Sequence, residues 1–333
     1  MTRYGNSSGV SVVTASYNSS RFVIETIKSV AAQTIKPAVH IIVDDASSDD
    51  SVSVLKEAEK RFSNIKIVIH DRNLGYPAAL NTGIASAQSD LVGILDSDDL
   101  AAPNWLETVI PIITKDPEVG SAGGGCSTMS EDGIDTGHFF QWTDRGDVTA
   151  LAQQGRYPFL NGGAIHRKSA LDRIGGYNSC IKSAEDMDLF LSLSYVSKLI
   201  NVGRPLIQYR KRRLSESRKT PEYNAAIADF LKAKGSLLKS GKSVTEANRI
   251  LDEKIKSLAR MDRIRKLAPH EYDFEMANSF EVGKHYWHAL RYYFIALRSG
   301  HSPSVALRGV FRCLRDAGLK WSNRFQANRP SFR

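Results

Sequence analysis

Four short apolar runs within the first hundred residues, each closed by a polar turn and followed by an amphipathic segment, restrict this chain to a sheet built through helical crossovers. Val10 to Ala15 stops at Ser16, Tyr17 and Asn18. His40 to Val43 stops at Asp44 and Asp45, Ile65 to Ile69 leads into the loop Asp71 to Gly75, and Leu91 to Leu95 stops at Asp96, Ser97, Asp98 and Asp99. Between these runs Phe22, Ile27, Val30 and Ala31 recur at helical spacing, Ser47 to Asp50 starts a helix through Leu55 and Ala58, and Pro77 opens another that ends near Gln88. Runs of this length bounded by turn residues read as buried strands. Alternating with helices, they predict a doubly wound α/β sheet, mainly parallel, with ligands at the carboxyl edge. Both acidic clusters fall on that edge.

The acidic turn after the fourth strand carries the first chemical statement. Three carboxylates within four residues repel one another unless a cation sits among them, and oxygen ligands suit Mg²⁺ or Mn²⁺, which keep open positions for substrate phosphates. A turn that merely caps the helix from Asn104 to Ile113 is the structural alternative. No GxxxxGK[ST] loop and no GxGxxG follows the first strand, so the backbone cradle of other nucleotide-binding folds is missing and a diphosphate needs another source of positive charge.

Composition sets the class. The chain has 333 residues, is 42% hydrophobic and 24% charged, and is expected to be a soluble globular protein of one large or two ordinary domains. No apolar stretch approaches the roughly 18 to 20 residues of a membrane span. Cys126, Cys180 and Cys313 form neither a disulfide framework nor a zinc pattern, which predicts a reducing, cytoplasmic setting. Charge is divided unevenly: residues 1–217 hold 22 Lys+Arg against 25 Asp+Glu, and residues 218–333 hold 23 against 11.

The segment from Gly120 to Asn161 is rich in Gly and polar residues and yields no strand assignment; Phe139, Phe140 and Trp142 are expected in the core or in an acceptor wall. Order returns with a short strand to His166, a helix from Lys168 to Ile174, a helix starting at Glu185, Asp186, Met187 and Asp188, a strand from Leu199 to Val202, and the basic run Arg210 to Arg213. Beyond Arg218 only helical patterns remain. A boundary is therefore expected at 217/218, separating a sheet domain from a basic helical domain.

Four segments in this order resemble the family 2 glycosyltransferases of the GT-A fold: VSVVTASYN (Val10 to Asn18), VDDASSDD (Val43 to Asp50), NTGIASAQSDLVGILDSDD (Asn81 to Asp99) and GGYNSCIKSAEDMDLFL (Gly175 to Leu191). The resemblance spans roughly residues 9 to 217. It implies an inverting, metal-dependent transfer of a sugar from a nucleoside diphosphate sugar, UDP- or dTDP-linked, to a hydroxyl of a glycan or lipid-linked acceptor in cell-surface polysaccharide or glycoconjugate synthesis. By match, Ala15, Tyr17 and Asp45 bind the nucleoside, Asp96 lies near the ribose, and Asp98, with Asp99 as the alternative, ligates Mn²⁺ or Mg²⁺. Asp186 matches the catalytic base, and Glu185 beside it is assigned to the acceptor. Two departures stand out: Leu80 replaces a common cation before Asn81, and Arg212 occupies the place of a His in a YRxH pattern, where it either contacts the diphosphate or belongs to a solvated basic face from Arg210 to Arg213.

A nucleotidyltransferase would carry a Gly-rich basic loop where this chain has TASYNSSR. The basic tail contains no recognisable nucleic-acid module, so no nucleic acid is expected as partner. The pattern from Val305 to Trp321, with Arg308, Arg312 and Arg315 beside Leu307, Phe311 and Leu314, leaves two readings: peripheral association with an anionic membrane surface or glycan carrier, or a stripe packed on the catalytic domain with the arginines as its solvated edge.

Overall fold

The computed structural model describes residues 8–141, 143–213, 221–261 and 269–317. In chain order the first half runs β1 (Ser8–Ser16), α1 (Val23–Ala31), β2 (Pro37–Asp44), α2 (Ser51–Arg61), β3 (Ile65–Ile69), α3 (Tyr76–Ser86), β4 (Leu91–Ile94), β5 (Leu100–Ala101) and α4 (Trp105–Lys115). It continues with β6 (Val119–Met129), β7 (Asp135–Phe140), β8 (Gly146–Asp147), α5 (Thr149–Gln153), β9 (Ile165–Arg167), α6 (Lys168–Ile174), α7 (Glu185–Leu193) and β10 (Lys198–Arg210). Among the described residues six helices follow: α8 (Pro221–Lys239), α9 (Val244–Ile250), α10 (Asp252–Met261), α11 (Pro269–Val282), α12 (Tyr286–Arg298) and α13 (Pro303–Asp316).

The strands join one mixed sheet in the order β3-β2-β1-β4-β9-β6-β10-β5, with β7 beside β6 and β8 beside β10. β1 pairs in parallel with β2 and β4, and β2 in parallel with β3; Ser16 lies opposite Asp44 and Val13 opposite Ile94. The carboxyl ends of these strands therefore open on one edge, where both acidic clusters lie. At β9 the direction reverses, and β9 runs antiparallel to both β4 and β6.

Successive β1 side chains divide the core, as a period of two requires. Val13 and Ala15 pack with α3, α6 and α7, whereas Val10 and Val12 pack with Trp105, Leu106 and Val109 of α4. The expected Asn104 to Ile113 helix is α4, and the helix expected from Lys168 to Ile174 is α6.

The described residues fall into two compact units: those within 1–127, 139–210 and 216–265 form one, and those within 128–138, 211–215 and 266–333 form the other. This differs from the expected division at 217/218. Tyr223, Ile227, Phe230, Ile255 and Leu258 of α8 and α10 belong to the same core as Val13 and Phe190. The shift in composition after Arg218 marks charge, while the apolar faces of α8 and α10 still bury against the sheet domain. The second unit has its own core of Tyr272, Met276, Phe280, Tyr293, Val310 and Cys313.

Phe139 and Phe140, expected in the core or an acceptor wall, are 45% and 40% exposed on β7. Trp142 and the end of the last expected helix, at Trp321, lie outside the described residues. Among the described residues no helix is long and apolar enough to cross a membrane.

Candidate active site

The turn after β4 places its three carboxylates in different surroundings. Asp99 is buried: its Oδ1 accepts the Arg210 backbone N–H at 2.8 Å, and its own carbonyl accepts from Thr26 Oγ1 at 2.8 Å. Arg210, also buried, donates from Nε to the Asp98 carbonyl at 2.8 Å and pairs with Glu25 at 2.6 Å. Asp99 thus ties the turn to α1 and β10. Asp98, half-buried, is the more open of the two candidate ligands.

Asp96 accepts a hydrogen bond from the Tyr76 hydroxyl at the start of α3. Burial, then the neighbouring Asp98 charge, raises its carboxyl to about 6, and the Asp186 charge adds to the rise. A Cβ on Gly162 would stand 3.4 Å from Asp96 Oδ2 and 3.7 Å from Asp99 Oδ2, so both oxygens approach the chain where a side chain is missing. Asp99 Oδ2 is buried without a hydrogen-bond partner, and burial together with Asp98 and Asp96 raises that carboxyl well above the usual range. Crowded carboxylates and an orphaned buried oxygen fit a hard divalent cation. Among the described residues no three His, Cys, Asp or Glu side chains form a complete metal cage. Mg²⁺ is commonly bound by one or two carboxylates, with phosphates and water completing its coordination.

Asp186 comes from the first turn of α7. Its Oδ1 accepts the Met187 N–H at 2.8 Å and the Tyr157 hydroxyl at 3.2 Å. Burial raises its carboxyl to about 6 despite those two donors, which favour the charged form. The charges of Glu185 and Asp186 both act on Tyr157 and on Tyr177. Asp96, Asp186, Glu185, Tyr76, Tyr157 and Tyr177 therefore make one electrostatic neighbourhood.

Helix α7 is held from two sides. Ala184 before it takes the left-handed conformation (φ +60°), and the Tyr223 hydroxyl of α8 donates to the Ser183 carbonyl at 2.7 Å. One turn into α7, Asp188 Oδ1 meets Lys234 Nζ of α8 at 2.5 Å, both side chains buried. On the α3 side, Asn81 accepts the Tyr177 N–H at 2.9 Å and donates to its carbonyl at 2.8 Å, while Tyr177 donates to Asn161 at 2.8 Å. Tyr76, Tyr157, Asn161, Tyr223 and Lys234 were missed in the sequence. Only Asn81 and Tyr177 lay inside the quoted motifs.

At the other end of the edge, Tyr17 is 44% exposed after β1, and Ala15 is buried opposite Val43. Asp45 is buried and already engaged. Its Oδ1 meets His70 Nδ1 at 2.7 Å and the Leu74 N–H at 2.9 Å, and its Oδ2 accepts the Gly75 N–H at 2.7 Å. It shapes the loop before α3, and His70 Nε2 reaches on to Thr82 at 2.9 Å. Arg212, expected at the diphosphate, belongs to the second unit, directly after β10. Its neighbours in the basic run are engaged: Arg210 is buried against the acidic turn, Lys211 pairs with Glu275, and Arg213, though exposed, pairs with Asp273 above the Tyr272 ring.

Residues 11–175 match the model of the family described as glycosyl transferase family 2. An uncharacterized glycosyltransferase of Haemophilus influenzae is 27% identical over 210 residues, 60% of this chain and 65% of that protein. The UDP-Gal:alpha-D-GlcNAc-diphosphoundecaprenol beta-1,3-galactosyltransferase of Escherichia coli is 28% identical over 171 residues, 51% of this chain and 62% of that protein. This chain thus spans just under two thirds of the length of these relatives. Among solved structures, residues 1–349 of S. aureus TarS in complex with UDP-GlcNAc superpose with a TM-score of 0.57 at 16% identity, covering 94% of this chain and 93% of that one. The likeness confirms the GT-A fold.

Proposed function

Since the chain belongs to glycosyl transferase family 2, we propose that it moves a sugar from a UDP- or dTDP-linked donor to a hydroxyl of a glycan or lipid-linked acceptor, with inversion at the anomeric carbon. The observation that carries this reading is the common anchorage of Asp96 and Asp186 on α3: Tyr76 of that helix donates to Asp96, and its Asn81 holds the Tyr177 backbone on the approach to the helix that bears Asp186. The two carboxylates come from different motifs, yet the charge of one raises the carboxyl of the other. A donor-phosphate site and a half-buried base in one neighbourhood are what a single displacement requires.

In this reading the Asp186 carboxylate takes the acceptor hydroxyl proton as that oxygen attacks the anomeric carbon. The bond from that carbon to the diphosphate oxygen breaks, and the nucleoside diphosphate leaves with the electron pair. Asp98, with Asp96 beside it, would hold Mg²⁺ or Mn²⁺, which would supply positive charge against the departing diphosphate. Tyr157 and the Met187 N–H keep the base aimed and partly ionised. Tyr76 orients Asp96, and Tyr17 offers an open ring at the edge where a base would stack.

The donor base is supported by similarity in fold to a UDP-GlcNAc complex and in sequence to an enzyme named for UDP-Gal. The second of those names also supports a lipid-linked diphosphate acceptor. A panel of UDP-, dTDP- and GDP-sugars, with Mn²⁺ or with EDTA, tests the reading by thermal shift and nucleoside diphosphate release. Metal-dependent stabilisation by a UDP- or dTDP-sugar is expected; response to GDP-sugars alone, or full response in EDTA, would overturn it.

A further inference from the structure

Residues 284–333 hold ten Lys+Arg and a single acid, Asp316, so their net charge equals the +9 of the whole chain. Within this stretch α12 and α13 are amphipathic in an unusual sense. Their inner faces, Ala289, Tyr293 and Ala296 on α12 and Ala306, Gly309, Val310 and Cys313 on α13, are buried. The ring of Tyr293 sits so close to Gly309 that a Cβ there would lie 2.2 Å from it. The core of this unit is thus complete without the outer faces.

Those outer faces are nevertheless apolar and basic in alternation. On α12, Trp287, Arg291, Phe294 and Arg298 follow one another at spacings of four, three and four, with Trp287 70% and Phe294 52% exposed. On α13, Leu307, Arg308 and Phe311 are exposed together. Of the three arginines singled out in the sequence, Arg312 is engaged by Glu281 and Arg315 by Asp316. The exposed rings and the remaining arginines move the basic apolar surface onto α12 and the first turns of α13.

We propose that this surface docks on an anionic lipid bilayer, as a peripheral contact lying in the headgroup region. A stripe of large apolar side chains alternating with arginines, on two helices whose single acid, Asp316, is paired with Arg315, matches both halves of such a surface, acyl boundary and charged headgroups. Trp and Arg are the side chains that place an apolar body in lipid while keeping a polar end in water. A polyanion alone would satisfy the arginines and leave Leu307 and Phe311, 42% and 54% exposed, with nothing to gain. The proposal does not depend on the transferase reading.

The test is sedimentation of the full chain with vesicles of phosphatidylcholine alone, or mixed with an equal part of phosphatidylglycerol, at low and high salt. The protein is expected to pellet with the phosphatidylglycerol vesicles at low salt, in part at high salt, and to stay in solution with phosphatidylcholine. Trp287→Ser with Phe294→Ser, and separately Arg291→Glu with Arg298→Glu, should each lower the bound fraction at least about tenfold. Exposed on the outer face, these changes should leave the melting temperature and donor-induced thermal shift unaltered. Equal recovery in the supernatant under every condition, wild-type binding by both variants, or capture by heparin but not by vesicles would overturn it.

Discussion

Lys234 Nζ stands 2.5 Å from Asp188 Oδ1, with both side chains out of water, and joins α8 to the helix that carries Asp186. Removing one partner of such a pair leaves a buried unpaired charge, at a cost of about 3–5 kcal/mol, whereas replacing both by apolar groups can be neutral. Lys234→Met should therefore lower the unfolding midpoint sharply, and Lys234→Met with Asp188→Leu should recover most of it. Denaturant melts of the two variants check this. Equal destabilisation in both would mean that the pair contributes shape alone.

The acid limb of the reaction should report Asp186. A base must be ionised to accept a proton, and burial raises this carboxyl to about 6, so kcat is expected to fall as pH drops through that value. Tyr157 donates to the charged form. Tyr157→Phe removes that stabilisation and should move the limb to higher pH. Asp186→Asn should keep donor binding and lose roughly 10²-fold or more in kcat.

The same carboxyl makes a separate statement about stability. Its folded value near 6 lies above the ordinary 3.8, so the folded state holds the proton more tightly than the unfolded chain. That contribution is full below about pH 3.8 and is lost as pH rises through 6, amounting to about 3 kcal/mol for a shift of this size. Asp186→Asn, which cannot ionise, should melt higher than wild type at pH 7.5, and the gain should vanish toward pH 4. A pH-independent difference would point to packing instead.

What could be read in the sequence depended on whether a residue's role was local. The parallel strands β1 to β4 follow from apolar runs closed by turns, and Asp96, Asp98 and Asp186 from motifs that fall at element ends. Strand β6 was illegible because its sequence, VGSAGGGCSTM, has few β-branched residues. Its glycines answer to neighbours far along the chain: a Cβ on Gly123 would lie 2.3 Å from Phe159, and one on Gly124 2.4 Å from the Arg204 carbonyl. Lys234 failed for a related reason. In ADFLKAKG it reads as a surface lysine, and only the tertiary arrangement sets it beside Asp188. Arg210, in the same basic run as Arg212, was not read as part of the acidic turn, because its backbone N–H to Asp99 and its Nε to the Asp98 carbonyl join residues more than a hundred positions apart.

The acidic turn should separate two roles by mutation. Asp98→Ala should abolish Mn²⁺-dependent nucleotide binding while leaving the melting temperature near wild type, since Asp98 is the less buried of the two candidate ligands. Asp99→Ala removes the acceptor of a buried N–H, which costs about 1–3 kcal/mol, and should destabilise the fold. Calorimetric titration of UDP with and without Mn²⁺, beside thermal melts, tells them apart. Metal-dependent binding retained in Asp98→Ala would place the ligand elsewhere in the turn.

Nucleoside recognition can be divided in the same way between Tyr17 and Asp45. Tyr17 is 44% exposed, so losing its ring removes little packing. A base stacked on an aromatic ring gains about 1–3 kcal/mol, which is roughly five- to 150-fold in affinity. Tyr17→Ala should therefore weaken UDP binding by at least about fivefold with an unchanged melting temperature. Asp45 is already bound by His70 and by the backbone N–H groups of Leu74 and Gly75, so Asp45→Ala should lower both nucleotide affinity and stability as the loop before α3 loosens. Titrations against UDP and uridine, paired with thermal melts, check both. If Tyr17→Ala bound UDP like wild type, the ring would not be a stacking platform, and base recognition would rest on the loop that Asp45 holds.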